Sequence, residues 1–210
     1  MPPFSRRSLV LASLAFASAP GAAGAQQIDL ARATAFIRST GDDLVSAING
    51  GVGTVADRRQ RVGVILRRAV DVEGVGRFIL GRWWRTATPE QQAEYLKLFE
   101  EVLIRNLSAR FGEFQGVRFT LGRSQSRTEE DALVSTLVER PGSPAFGLDW
   151  RVSDVGAQPR IVDVIAEGAS LRLTTRSEYS SVITRGGNTV SALLIAMRQQ
   201  IVQLASRERS

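Results

Sequence analysis

The sequence contains no cysteine and no histidine. Without cysteine there is no disulfide, no thiolate nucleophile and no thiolate metal ligand. Without histidine there is no Ser-His-Asp triad, no imidazole base and almost no zinc chemistry. Lys97 is the single lysine, and there are two tyrosines. Nor does the chain carry a Gly-rich phosphate loop, a metal-ligand cluster or a nucleophile elbow. No catalytic residue, cofactor or metal is expected, and a binding protein is favoured over an enzyme.

Long hydrophobic runs are missing too. A membrane-spanning helix needs about 20 apolar residues, and the run from Leu9 to Ala19 is shorter and rich in Ala and Ser. It follows Arg6 and Arg7 and leads to Ala23-Gly24-Ala25, the layout of a cleaved signal peptide. Residues 1–25 are therefore expected to be removed and 26–210 to form one domain, exported to the periplasm. Ser5-Arg6-Arg7-Ser8-Leu9 fits a twin-arginine signal only loosely, so the general secretory route is preferred. The mature chain keeps 25 of the 27 basic groups against 21 acidic ones, a charge of +4 carried almost wholly by arginine. Such a surface is either simply solvated or drawn to anionic lipid, and export argues against nucleic acid as a partner.

What is present reads as helices, then strands, then helices. Ile28, Ala31, Ala35, Leu44, Val45 and Ile48 suggest a helix interrupted near Gly41, closed by Gly50-Gly51-Val52-Gly53. Thr54 or Asp57 can cap a second helix with Val62, Ile65, Leu66 and Ala69 on one face. A short helix is expected over Val72 to Leu80. Thr88-Pro89-Glu90-Gln91 is a capping box with proline at the first helical position. It predicts a long helix to about Phe111, with Leu96, Phe99, Leu103, Leu107 and Phe111 inward and Ala93 and Tyr95 near its start.

After Gly112 the apolar period shortens to two. Val117, Phe119 and Leu121 alternate with polar residues; Ala132 to Val138, Phe146 to Val152 and Ile161 to Ala166 follow between turns. Two helices should close the chain, one from about Thr175 to Gly186, the other capped by Asn188. The expected class is α+β, with N-terminal and C-terminal helices packed on a four-stranded antiparallel sheet. Asp149, Asp154, Asp163 and Glu167 are the sheet's carboxylates, one of which could serve as a buried base in a cone-shaped enzyme. Solvent exposure or pairing with arginine is the plainer expectation for them.

Two blocks carry a resemblance. Leu80-Gly81 with Trp83, Arg85, Gln91, Phe99 and Leu103 resembles the toluene-tolerance (MlaC) family. So does Val162-Asp163-Val164 with Glu167-Gly168-Ala169-Ser170-Leu171 and Arg176-Ser177-Glu178-Tyr179. The resemblance implies a soluble periplasmic phospholipid carrier, with an apolar cavity between the sheet and the long helix. Its implied partners are an inner-membrane ABC transporter complex and an outer-membrane lipoprotein complex. Ala169 and Thr174-Thr175 depart from the family pattern, which leaves open a hopanoid or other apolar ligand. On this resemblance the tail-facing residues would be Phe99 and Leu103 from the helix, and Phe119, Val134, Val138, Phe146 and Leu148 from the strands. Leu173, Tyr179 and Ile183 would close the cavity, Arg176 would meet a head-group phosphate, and Trp83 and Trp84 would frame the entrance.

Overall fold

The computed structural model describes residues 28–50, 53–112 and 116–208. The expected signal peptide and Gly51-Val52 lie outside these residues. The elements run α1 (Leu30–Asn49), α2 (Val55–Ala69), α3 (Val72–Leu80), a 3₁₀ turn (Gly81–Arg85) and α4 (Pro89–Gly112). There follow β1 (Arg118–Ser126), β2 (Asp131–Arg140), β3 (Ser143–Val155), β4 (Gln158–Ala166), β5 (Ala169–Ser170), α5 (Leu171–Arg185) and α6 (Val190–Arg207). The class is α+β as expected, but the antiparallel sheet has five strands in sequential order, not four. The two residues of β5 are too few to leave an alternating pattern. Among the described residues no helix is long and apolar enough to cross a membrane.

Helix starts follow local chemistry. Thr54 and Asp57 prove to be the two halves of one capping box on α2. At α4, the Thr88 amide donates to Gln91 Oε1 at 3.0 Å, and the Gln91 amide donates to Thr88 Oγ1 at 3.3 Å. The Ser170 hydroxyl accepts from the Leu173 amide and starts α5 at Leu171, four residues before the expected Thr175. Asn188 does not cap α6. It takes a left-handed turn at φ 60°, and Thr189 precedes the helix without a side-chain cap bond.

Helix α1 runs unbroken through Gly41, and its inward face differs from the expected one. Ala31 and Ala35 are exposed, whereas Ala33, Ile37, Thr40 and Gly41 are buried. The reason is a close approach: a Cβ at Gly41 would lie 2.4 Å from the Phe119 ring of β1. The glycine is a packing surface, not a helix breaker.

Buried apolar side chains form two clusters with no residue in common. One joins Ile79, Leu80, Tyr95, Phe99, Val102, Tyr179, Ile183, Leu193, Leu194 and Met197 among α3 to α6. The other joins Ile28, Ala33, Ile37 and Ala69 to Ala132, Val134, Val152 and Ile161 under α1. On α4 the deeply buried apolar residues are Tyr95, Phe99, Val102 and Ile104, spread round the helix because α2, α3 and α6 all pack on it. Leu96, Leu103 and Leu107 are only half-buried, and Ala93 is exposed. The side chain of Phe111 lies outside the described residues.

Both tyrosines sit in the helical cluster, ring edge to ring face at 6.3 Å, and the Tyr95 hydroxyl donates to the Gly76 carbonyl at 3.0 Å. Burial pushes Tyr95 well above the ordinary phenol value, and burial followed by the Glu178 charge pushes Tyr179 up to about 12. The unfolded chain loses these protons near 10.0 while the fold still holds them. Stability is therefore undiminished below that pH and falls as pH rises from there through about 12. An alkaline titration should show no tyrosinate absorbance until helical circular dichroism is lost; tyrosinate formed by folded protein near the ordinary phenol pKa would contradict this packing. Gly76 lets α3 meet α4, since a Cβ there would come 2.8 Å from Leu96. Gly76→Ala should cost about 1–3 kcal/mol in urea unfolding.

Candidate ligand-binding site

Directly opposed residues of an antiparallel pair share a face of the sheet. The register sets Phe119 beside Val138, Val138 beside Phe146, Thr136 beside Leu148, Val134 beside Trp150, and Trp150 beside Val164. All five strand residues proposed from sequence, Phe119, Val134, Val138, Phe146 and Leu148, thus lie on one face. That face is graded along its length. Ala132, Val134, Val152 and Ile161 are sealed beneath α1, while Val138, Phe146, Leu148, Trp150 and Val164 are half-buried. Trp150 shares this face and was not picked out as a site residue, although its alternation with Phe146 and Leu148 could have revealed it. Its Nε1 donates to Thr136 Oγ1 at 2.8 Å, and Thr136 Oγ1 donates to the Leu148 carbonyl at 3.2 Å. The indole thereby presents its ring with its polar atom already satisfied.

The remaining sequence-derived residues fall into distinct settings. Phe99, Tyr179 and Ile183 are integral to the helical cluster, with Phe99 stacked on Tyr95 at 5.9 Å. Val134 and, more loosely, Phe119 belong to the α1 cluster. Leu173 is 55% exposed on the first turn of α5. Arg176 is exposed and pairs with neither Glu178 nor Glu167; its Nη1 donates to the Phe78 carbonyl at 3.1 Å, and its guanidinium lies 4.9 Å over the Phe78 ring. Trp83 and Trp84 occupy the 3₁₀ turn, both half-buried against the helical cluster. Leu103 and Leu107 on α4, with Val138, Phe146 and Leu148 on the sheet, are half-buried and belong to neither cluster.

The opposite face of the sheet carries a paired polar network beside Leu133, Leu137 and Ile165. Asp131 meets Arg151 and Ser153. Asp163, expected as a possible buried base, accepts from Ser170 Oγ at 2.6 Å and from the backbone amides of Val164 and Arg172. Arg172 Nε lies 3.3 Å from Asp163 Oδ2 as an ion pair without hydrogen-bond alignment. Burial and then the Arg151 charge pull the Arg172 guanidinium below its usual range, with Asp163 pulling the other way. The Arg172 guanidinium also covers Phe78 at 4.2 Å. Asp163 is thus committed to holding the start of α5, and Asp154 pairs with Arg32. Sequence reading found Asp163 and Ser170 as a motif but missed Arg172, whose role depends on the Phe78 ring from a distant helix.

A pocket of about 390 Å³ opens where α2 meets α3 and the β3–β4 turn, lined by Arg67, Asp71, Glu100 and Arg160 with three valines. Its charges are spoken for: Arg67 pairs with Glu100 at 2.7 Å, and Arg160 donates to the terminal carbonyls of α2. None of the proposed residues lines it. Among the described residues no cluster of carboxylates suits a metal ion.

A model of the MlaC protein family matches residues 38–199. Among solved structures, a phospholipid-binding protein from Ralstonia solanacearum, in complex with a phospholipid, has the same fold at a TM-score of 0.73. The two sequences are 24% identical, and the match covers 82% of this chain and 98% of that one.

The Asp163 pair yields a direct check. Asp163→Asn should leave the Arg172 charge unmatched and lower stability by about 2–4 kcal/mol in denaturant titration, near the range for breaking a buried pair. A change within experimental error would mean that the pair does not hold α5.

Proposed function

The chain belongs to the MlaC family, and from that premise we propose that it is a periplasmic carrier of phospholipid, without catalytic activity of its own. The observation that carries the reading is the division of the interior. Half-buried apolar residues of α4, Leu103 and Leu107, and of the sheet, Val138, Phe146 and Leu148, stand outside both sealed clusters, with Trp150 at the edge of the α1 cluster beside them. Acyl chains sit between these walls, with Phe99, Phe119, Val134, Tyr179 and Ile183 supporting them from behind. Leu173 and the two tryptophans border the entrance, and Arg176 meets the head-group phosphate. The Ralstonia protein, which holds a phospholipid on the same fold, supports this reading.

The magnitude of the task favours a walled chamber. Two acyl chains of roughly 30 methylenes would cost on the order of 24 kcal/mol to expose to water at about 0.8 kcal/mol each. A carrier must replace nearly all of that burial. In this reading the leader sequence delivers the chain to the periplasm, where it exchanges lipid with an inner-membrane ABC transporter complex and an outer-membrane lipoprotein complex.

Gently purified protein should carry lipid in near-stoichiometric amount by native mass spectrometry, and lipid-free protein would sink the proposal. The same spectrum distinguishes phospholipid from a hopanoid. Leu103→Trp should cut bound lipid severalfold while leaving circular dichroism nearly unchanged, because the added ring occupies the chamber. A variant that unfolds instead would place Leu103 in ordinary packing.

A further inference from the structure

Between Gly74 and Pro89 the chain has three arginines and no carboxylate, and between Gly168 and Ser177 two arginines and no carboxylate. Folding lays these stretches together. A Cβ on Gly81, whose φ is 58°, would lie 2.9 Å from the Arg176 guanidinium. Four guanidinium–ring contacts follow the seam: Arg77 over Trp84 at 5.2 Å, Arg82 over Trp83 at 4.6 Å, and Arg172 and Arg176 over Phe78.

Several arginines elsewhere meet acids. Arg59 and Arg105 share Glu208, Arg67 pairs with Glu100, and Arg198 with Glu94. Arg82, Arg85 and Arg176 are exposed, and among the described residues no carboxylate lies within ion-pair distance of them. Arg77 has a single loose contact, 3.6 Å to Glu73. Leu171 and Leu173 stand 48% and 55% exposed at the start of α5. Trp83 Nε1 is buried without an acceptor, a costly state for an N–H donor.

We infer that this seam is a docking surface for an anionic phospholipid bilayer. Unpaired guanidinium groups are attracted to a negative leaflet. Tryptophan prefers the boundary between head groups and hydrocarbon, and isolated exposed leucines add shallow apolar insertion. The proposal concerns where the molecule lands, and stands apart from what it carries.

Vesicle flotation of the mature chain tests it. Binding is expected to vesicles containing roughly 30 mol% phosphatidylglycerol and not to phosphatidylcholine alone, with loss at about 0.5 M salt. Arg82→Glu with Arg85→Glu should lower binding at least about tenfold. Arg118→Glu with Arg123→Glu, the same charge change on exposed positions of β1, should leave it intact. If the first double variant does not fold, Arg82→Gln with Arg85→Gln reads the same surface. Equal loss in the two double variants would reduce the effect to bulk charge and overturn the inference. Absence of wild-type binding to anionic vesicles, or binding only when membrane proteins are present, would overturn it as well, the latter in favour of a protein partner. Co-purified lipid in the docking variant separates the two ideas: lipid retained with docking lost fits both, whereas docking retained by a lipid-free protein sinks the carrier reading alone.

Discussion

Two sealed hydrophobic clusters that share no residue organise this molecule, one among the helices and one between α1 and the sheet. Burial is what stabilises a fold, so a protein of this size ordinarily gathers its apolar side chains into one contiguous core. Here the division leaves apolar surface on α4 and on the far end of the sheet only half-covered. The functional reading rests on that incomplete burial.

Polar joints hold the two halves in register. The Asp71 amide donates to the Ile161 carbonyl at 3.1 Å, and Val70 and Ile161 form a short parallel bridge where α2 reaches β4. Arg160 satisfies carbonyls at the end of α2, which would otherwise lack partners. On the other side Asp163, Ser170 and Arg172 fix α5 to the sheet, and Arg172 reaches across to Phe78 of α3. Hydrogen bonds and ion pairs are directional, so they can fix spacing without filling the space between. A continuous apolar contact would fix the spacing by closing it.

Sequence made some of this legible and hid the rest for identifiable reasons. Thr88 and Gln91 announced α4 because a capping box is local, readable from four consecutive residues. Strand alternation placed five candidate residues on one face, since the pleat enforces that grouping whatever lies opposite. The depth of each residue was not readable. Phe99 and Leu103 are one helical turn apart on α4, yet one is sealed and the other half-covered, because that depends on which helices pack nearby. The α1 face was misjudged because Gly41 is buried for its small size against Phe119, and a hydrophobicity pattern does not register size. The start of α5 was missed because Leu171 and Leu173 stand two residues apart, the spacing of a strand, just where the Ser170 cap begins the helix.

The central claim is that hydrocarbon lies between α4 and the half-covered end of the sheet. Intermolecular NOEs between a bound acyl chain and methyl-labelled protein test it most directly. Contacts should appear at the methyls of Leu103, Leu107, Val138 and Leu148, and be absent at Leu193 and Val152 inside the sealed clusters. A bound lipid whose contacts fall outside the first set, or are confined to the outer surface, would contradict the account.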